Sequence, residues 1–170
     1  MKNTRFGIIG TGNIAAFHAA AIRDARHATL TAVCDTVPEK AHAFADAHNV
    51  AAELSLSAFL DRDDIDAVTI ATPSGAHADV VVPAASAGKH ILCEKPLEVN
   101  VEKVQRIIQA CEQNDVTLAC VFQARLSRNV KHIREALDAG RVGRLILASA
   151  QVKWYRSQAY YDSGRWRGTW

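Results

Sequence analysis

Short apolar runs that alternate with helical patterns restrict this chain to few folds. The runs are rich in Val, Ile and Leu and show little period-two alternation, which is typical of strands buried on both faces of a parallel sheet. They lie at Phe6–Ile9, Leu30–Cys34, Ala67–Ala71, His90–Cys93 and Thr117–Phe122. Helical patterns occupy Ile14–Ala25, Pro38–His48, Ser57–Arg62, Gly75–Ala87, Asn100–Asn114 and Ser127–Ala139. The alternation predicts strand–helix–strand units with right-handed crossovers.

This organisation predicts an α/β fold, a Rossmann doubly wound parallel sheet with strand order 3-2-1-4-5-6. The turn Gly140–Gly143 is followed by a longer apolar segment, Arg144–Lys153, which has no helix after it. We predict that this segment is the first strand of a second, truncated α/β domain. The boundary divides the chain into a nucleotide-binding domain, 1–122, and the start of a substrate and oligomerisation domain, 123–170.

The first predicted strand runs directly into a glycine turn that opens a helix. The segment Gly10-Thr11-Gly12-Asn13-Ile14-Ala15 fits the pattern G-x-G-x-x-G/A. Gly10 permits the tight turn, Gly12 lets the backbone approach a pyrophosphate, and Ala15 allows close packing of helix and strand. Free N–H groups and the positive helix end then face an anion. The alternative is a structural turn without a ligand.

An acidic residue ends the second predicted strand, where a dinucleotide site needs one. Asp35 follows Val33-Cys34 and lies about 20–25 residues after the turn. A carboxylate there accepts hydrogen bonds from the adenosine ribose 2′-hydroxyl and repels a 2′-phosphate. We therefore predict NAD as cofactor in preference to NADP.

Cys93-Glu94-Lys95-Pro96 follows the fifth strand of the predicted sheet, at its carboxyl end. Ligands of open α/β sheets bind outside these ends, so Glu94 and Lys95 stand where a nicotinamide would lie. A lysine partly desolvated in a cleft can serve as an acid–base group for hydride transfer. The alternative is a surface Lys-Pro turn.

Composition excludes several classes of function. The net charge is +2 with both signs dispersed, so there is no electrostatic footprint for nucleic acid or an anionic membrane. No apolar stretch approaches the roughly 20 residues that span a bilayer, and the N-terminus has no signal-peptide pattern, so a cytoplasmic location is the default prediction. The four cysteines and seven histidines show no metal-ligand spacing, and we expect no metal site. His18 is expected to be a surface or core residue, and the Asp61–Asp66 cluster a solvated loop.

Three motifs in one order and spacing resemble the glucose–fructose oxidoreductase / inositol dehydrogenase (Gfo/Idh/MocA) family. They are the glycine turn at 10–15, Ala-Thr-Pro at 71–73 with His77 four residues later, and Glu-Lys-Pro at 94–96. The resemblance continues through Phe122-Gln123-Ala124-Arg125 to the Gly-Arg-Trp-Arg-Gly-Thr-Trp ending. It implies NAD(P)-dependent hydride transfer at a hydroxyl of a sugar, an inositol or a nucleotide-sugar-like substrate. It also implies a homo-oligomer.

The resemblance also implies roles for individual residues. Lys95 corresponds to the catalytic lysine and Glu94 to a residue beside the nicotinamide. The remaining implied cofactor contacts are Thr11, Asn13, Ile14, Thr72, Pro73, His77, Gln123, Trp166 and Arg167. Arg125 is implied to face the cleft with Gln123, and the aromatic ending is similar to that of members acting on uronic-acid-type or nucleotide-sugar substrates.

The sequence departs from the family pattern at its end. The family normally continues beyond a Trp-Arg-Gly-Thr-Trp stretch with a Gly-rich turn and an Asp and a His near the substrate. We therefore expect an N-terminal fragment that binds dinucleotide but turns over little. Two alternatives stay open: a non-catalytic dinucleotide-binding module with a sensor or assembly role, and a methyltransferase-like fold.

Overall fold

The computed structural model describes residues 3–164 and 167–168. Six parallel strands form one sheet in the order β3-β2-β1-β4-β5-β6, as predicted. The strands are β1 (Thr4–Ile9), β2 (Ala28–Cys34), β3 (Ala51–Glu53), β4 (Ala67–Ile70), β5 (His90–Cys93) and β6 (Leu118–Cys120). The helices are α1 (Ala15–Asp24), α2 (Pro38–His48), α3 (Leu56–Leu60), α4 (His77–Ser86), α5 (Val101–Gln113), α6 (Arg128–Asp138) and α7 (Gln158–Asp162).

Two apolar clusters cover the sheet. Ile8 and Ile9 are neighbours on β1 but belong to different clusters, because successive strand residues point to opposite faces. The cluster around Ile8 includes buried residues of α1 and α2, and the cluster around Ile9 includes buried residues of α3, α4 and α5. The helices therefore cover both faces, as a doubly wound sheet requires.

Local sequence signals account for the helix ends. α2 begins at Pro38, whose missing N–H is no loss in the first turn, and ends where Asn49 adopts the left-handed conformation at φ 53°. The side chain of Asn100 accepts hydrogen bonds from the N–H groups of Glu102 and Lys103, so Asn100 caps the start of α5.

Charged side chains join the strands at the amino edge of the sheet. Arg5 on β1 forms a two-bond ion pair with Asp66 before β4, with N···O distances of 2.8 and 3.0 Å. At the same edge, the ammonium of Lys89 donates to two carbonyls of the loop before β4. Arg62 of that loop pairs with Asp64 and with Glu53, the last residue of β3, and so reaches toward the carboxyl end of that strand. Residues 61–66 form a loop before β4, as expected, but Asp64 and Asp66 within it are ion-paired, and Asp66 is partly buried.

The chain divides into two compact units, residues 1–121 and 122–170. The second unit contains a 3₁₀ turn at Gln123–Leu126, α6 and α7. The predicted strand Arg144–Lys153 is not present: residues 145–157 carry neither helix nor strand, and Ile146 is 85% exposed. A strand is stabilised by the ladder bonds of a neighbour, and no described residue supplies that ladder here.

Candidate functional site: a dinucleotide cradle at the carboxyl edge of the sheet

Gly10 holds a backbone position that no other residue fits. Its φ is 90°, and a Cβ there would lie 2.9 Å from the carbonyl carbon of Ala71 and the nitrogen of Thr72. Its N–H donates to the carbonyl of Cys34 at 2.8 Å. The turn therefore packs tightly between the ends of β2 and β4 because residue 10 lacks a side chain.

Gly12 has the opposite environment. A Cβ built there meets no atom within 4 Å, so the space in front of this backbone is open. The N–H groups of Gly12, Asn13 and Ile14 have no acceptor within the described part of the chain, whereas Ala15 is fully buried. Unpaired N–H donors at the start of the ten-residue helix α1, with open space beside Gly12, are suited to bind a phosphate group.

Asp35 lies at the end of β2, beside the glycine turn. Its Oδ2 accepts hydrogen bonds from the N–H and the hydroxyl of Thr11, both at 2.8 Å, and its Oδ1 accepts from the N–H of Val37 at 2.9 Å. Partial burial by itself raises the pKa of this carboxyl, but these hydrogen bonds and the charge of Lys40 outweigh burial and lower the pKa. Asp35 is therefore ionised at neutral pH, and Oδ1 keeps capacity for a further donor.

The residues that follow β4 contribute an unsatisfied polar group. The hydroxyl oxygen of Thr72 is buried and has no hydrogen-bond partner among the described residues. Thr72 and Pro73 directly follow the end of β4, next to Gly10 across the sheet. A buried hydroxyl without a partner is uncommon and marks a place where a ligand atom would be bound.

His77 and Glu98 fasten the Lys95 loop to helix α4. His77 is almost fully buried, with Nδ1 3.0 Å from the Pro96 carbonyl oxygen and Nε2 3.1 Å from that of Thr72. The Glu98 carboxylate accepts from the N–H of Ala78 in the first turn of α4 at 3.0 Å. His77 is thus a structural link between the β4 and β5 loops, rather than a side chain directed at solvent.

Glu94 and Lys95 follow β5, and the peptide bond between Lys95 and Pro96 is cis. The N–H of Glu94 donates to the carbonyl of Ile70 at 3.0 Å, so Glu94 lies beside the end of β4. Glu94 is buried, whereas Lys95 is exposed and its ammonium has no partner within the described residues. The expected partial desolvation of Lys95 is not found.

Sequence reasoning missed the role of His18. It lies on α1, is 8% exposed, and its Nε2 is 3.0 Å from Oε1 of Glu94. Its Nδ1 is 3.0 Å from the hydroxyl of Thr69 on β4. A signal was present: His18 shares the buried face of α1 with Ala15, Ala19 and Ile22, and a buried imidazole needs polar partners.

The structure brings together most, but not all, of the predicted site residues. The carboxyl ends of β1, β2, β4 and β5 collect Gly10–Ile14, Asp35, Thr72, Pro73, His77, Glu94 and Lys95 at one edge. Gln123, Arg125 and Arg167 belong to the second unit, where the Arg125 guanidinium lies 5.3 Å from the Phe122 ring and that of Arg167 4.2 Å from the Tyr160 ring. Trp166 lies outside the described residues, so the roles of these four residues stay predictions.

Two further properties concern the described residues as a set: possible metal ligands and possible membrane-spanning helices. No group of three or more His, Cys, Asp or Glu side chains among these residues is arranged to hold a metal ion. In the same part of the chain, the helices are too short or too polar to cross a bilayer.

Comparison with known proteins agrees with this geometry. The model of the Gfo/Idh/MocA oxidoreductase family, described as an NAD-binding Rossmann fold, matches residues 4–122. An inositol 2-dehydrogenase of Rhizobium meliloti (strain 1021) is 37% identical over 139 residues, which cover 82% of this chain and 42% of that protein.

Solved structures are similar as well. The WlbA dehydrogenase from Bordetella pertussis, in complex with NADH and UDP-GlcNAcA, has a TM-score of 0.95 and 37% identity, covering 98% of this chain and 51% of that one. The scyllo-inositol dehydrogenase from Lactobacillus casei, with bound NAD(H) and scyllo-inositol, has a TM-score of 0.77 and 29% identity, covering 84% of this chain and 43% of that one.

The chain spans about half the length of the relatives that it matches. The family match covers well over half of the chain, from β1 through β6, and it agrees with the sheet order and the glycine turn. The chain therefore belongs to the Gfo/Idh/MocA family of oxidoreductases, which have an NAD-binding Rossmann fold.

Proposed function

We propose that this chain binds NAD at the glycine turn and forms the cofactor-binding part of an oxidoreductase. The reaction is hydride transfer to or from a hydroxyl of a sugar, inositol or nucleotide-sugar-like substrate. The observation that carries the proposal is the set of unpaired N–H groups of Gly12, Asn13 and Ile14 at the start of α1, together with the open space beside Gly12.

The cradle consists of Gly10–Ile14, Asp35 and Thr72, and in this proposal its parts bind different portions of NAD. The N–H groups of Gly12, Asn13 and Ile14 bind the pyrophosphate, and the unpartnered hydroxyl of Thr72 donates to the ligand. Oδ1 of Asp35 accepts from the ribose 2′-hydroxyl, and the negative charge of this carboxylate repels a 2′-phosphate, which favours NAD over NADP. When bound, NAD accepts or donates the hydride.

Lys95 is the proposed acid–base residue. Its ammonium has no partner within the described residues, so it is free to hydrogen-bond the substrate oxygen that gains or loses a proton. Since Lys95 is exposed, water reaches it, and the preorganised, dry environment that strengthens such contacts is lacking. We therefore expect the 170-residue chain to bind NAD but to turn over poorly.

The exposed Lys95 also favours the second candidate function, a non-catalytic dinucleotide-binding module. The two candidates differ in what a substitution of Lys95 does in a longer protein that contains this chain. Hydride transfer by the longer protein that is lost in Lys95→Ala supports the oxidoreductase, whereas a longer protein that binds NAD but shows no hydride transfer, with or without the substitution, supports the module.

Two solved structures support two different classes of substrate. The structural match to the UDP-GlcNAcA-bound dehydrogenase extends over 98% of this chain and supports a nucleotide-sugar substrate. The match to the scyllo-inositol dehydrogenase covers 84% and supports a cyclic polyol. Homo-oligomeric assembly and a cytoplasmic location are kept as predictions.

Calorimetric titration with NAD⁺ and NADP⁺ tests the binding proposal. Gly12→Ala adds a methyl group that meets nothing in the free chain, so it should fold normally and yet weaken NAD⁺ binding about tenfold or more by occupying the phosphate space. Asp35→Ala should weaken NAD⁺ binding and narrow the difference between NAD⁺ and NADP⁺. Asp46→Ala, at an exposed position of α2, is the matched control.

Two results contradict the proposal. One is a wild-type chain that binds neither nucleotide. The other is a Gly12→Ala chain whose thermal unfolding and NAD⁺ affinity both equal those of the wild type.

A further inference from the structure

We propose that His18 is a positioning residue for the lysine loop. It fixes the carboxylate of Glu94, and Glu94 in turn fixes the backbone N–H of Lys95. The helix that begins at the glycine turn thereby also sets the geometry at the other end of the site. The inference rests on the proposed function in one respect, namely that the nicotinamide lies beside Glu94.

A continuous chain of hydrogen bonds carries the inference. The hydroxyl of Thr69, fully buried on β4, lies 3.0 Å from Nδ1 of His18. Nε2 of His18 lies 3.0 Å from Oε1 of Glu94, and Oε2 of Glu94 accepts from the N–H of Lys95 at 3.1 Å. The chain therefore connects β4, α1 and the loop after β5.

The donor and acceptor inventory is satisfied along the whole chain. A carboxylate oxygen accepts, so the N–H at Nε2 of His18 donates to Glu94. Nδ1 faces the hydroxyl of Thr69, which can donate or accept, so this bond forms in either direction. Each ring nitrogen of His18 therefore has one partner.

This arrangement makes Glu94 a poor proton carrier and a good positioning group. Both of its oxygens are occupied, and it is 9% exposed. The chain of hydrogen bonds ends at Thr69, which is fully buried, so we assign it the role of orienting groups rather than conducting protons. What it orients is the backbone of Lys95, whose ammonium stays free for the substrate.

Two substitutions of His18 separate its two hydrogen bonds. The amide nitrogen of a glutamine falls near the place of Nε2, so His18→Gln should keep the bond to Glu94. The amide of an asparagine falls near the place of Nδ1, so His18→Asn should keep Thr69 and release Glu94. The two variants have similar polarity, and a general effect of losing histidine should appear equally in both.

The first readout compares NAD⁺ with ADP-ribose, which lacks the nicotinamide. We expect His18→Asn to weaken NAD⁺ binding about tenfold, the effect of losing one buried hydrogen bond, with ADP-ribose affinity within about twofold of wild type. His18→Gln should restore most of the NAD⁺ affinity. Equal losses for both ligands, or no loss for either, would overturn the proposal.

The second readout needs no ligand. In the free chain, the Lys95 amide should shift in the NMR spectrum and exchange faster with solvent in His18→Asn than in His18→Gln. An unchanged Lys95 amide in the Asn variant refutes the positioning role, whether or not nucleotide binds. If circular dichroism shows that the Asn variant does not fold, Thr69→Val provides the same amide test by releasing Nδ1.

The two proposals fail in distinguishable ways. A wild-type chain that binds neither NAD⁺ nor ADP-ribose contradicts the dinucleotide proposal, while the Lys95 amide still decides the role of His18. A wild-type chain that binds both, with variants that bind equally well, contradicts the role of His18 alone.

Discussion

Asp35 combines a proposed contact to the ribose with hydrogen bonds to the glycine turn. The sequence predicts it as a ribose acceptor, and the structure shows that the same carboxylate also accepts two hydrogen bonds from Thr11. These bonds join the end of β2 to the glycine turn before any ligand arrives. The turn is thus held in shape by an acidic residue that is ionised at neutral pH.

This contact predicts an acid-dependent stability. The folded pKa of Asp35 lies below its unfolded value, so the folded chain binds fewer protons there, and the stabilising contribution is present above about pH 4 and lost as pH falls through the folded value. Urea unfolding should show that Asp35→Asn is less stable than wild type at pH 7, with a gap that shrinks below about pH 4.

Asp46→Asn is the matched control, because Asp46 is exposed and its side chain makes no hydrogen bond within the described residues. A gap between wild type and Asp35→Asn that stays constant from pH 7 to pH 2.5 would rule out the contribution of the Asp35 charge.

The sequence predicted those features of the site that depend on residues close together along the chain. Gly10, Gly12 and Asp35 could be assigned because a turn and a strand end constrain them within a short segment. The contact of His18 with Glu94 joins residues 76 positions apart and depends on the packing of α1 against the sheet. The exposure of Lys95 could not be derived either, since spacing does not report what covers a side chain.

At the scale of elements, the loop between β5 and α5 depends on one buried charge. The side chain of Glu98 is fully buried, and it accepts from the N–H groups of Ala78 and Val99 at 3.0 and 2.8 Å. Ala78 stands in the first turn of α4, where a negative charge is favourable. Glu98 therefore fixes the distance between the Lys95 loop and α4.

Glu98→Gln tests this link. The glutamine keeps the shape, but it removes the charge and turns an NH₂ group toward a backbone donor, so we expect a loss of about 2 kcal/mol in the free energy of unfolding, measured by urea denaturation. Glu102→Gln, exposed in the first turn of α5, should stay within about 0.5 kcal/mol. Equal effects of the two substitutions would mean that the buried contact contributes nothing specific.

Element prediction succeeded where burial and breakers agree. The predicted bounds of α2 and β5 match the structure, because Pro38 and the short apolar run after Lys89 fix them. The three-residue β3 has no apolar run to reveal it, and pairing with β2 alone makes it a strand. Residues 144–153 show the converse: an apolar, strand-like pattern is not a strand without a neighbour.

For the molecule as a whole, the reactivity of three buried thiols measures how readily one apolar cluster opens. Cys34, Cys93 and Cys111 are buried in the same apolar cluster. Burial raises the pKa of Cys34 to about 11 and that of Cys93 to about 12, so at pH 8 their thiolate fractions are minute. We expect all three to resist a thiol reagent until the sheet opens.

A Cys120→Ser background leaves these three thiols as the complete set. At pH 8, labelling of the native chain should be slow and should proceed at one common rate, and urea should expose all three together. Fast labelling of any one in the native chain would show that the cluster opens in parts. The pKa values of the Cys34 and Cys93 thiols are higher in the folded chain than in the unfolded chain, so the folded chain holds these protons more strongly. Their contribution to the free energy of unfolding is therefore fully present below about pH 8.5 and is lost as the pH rises through the folded values.

The ion pairs described at the amino edge have a consequence for how such a chain can change over time. Arg5 and Lys89 join strands and loops at that edge, and neither of them takes part in the site around the glycine turn. Substitutions and insertions in the loops of the carboxyl edge leave these ties intact. Proteins with this fold can therefore acquire new substrates by changes in the loops at the carboxyl edge of the sheet, while the contacts at the amino edge preserve the fold.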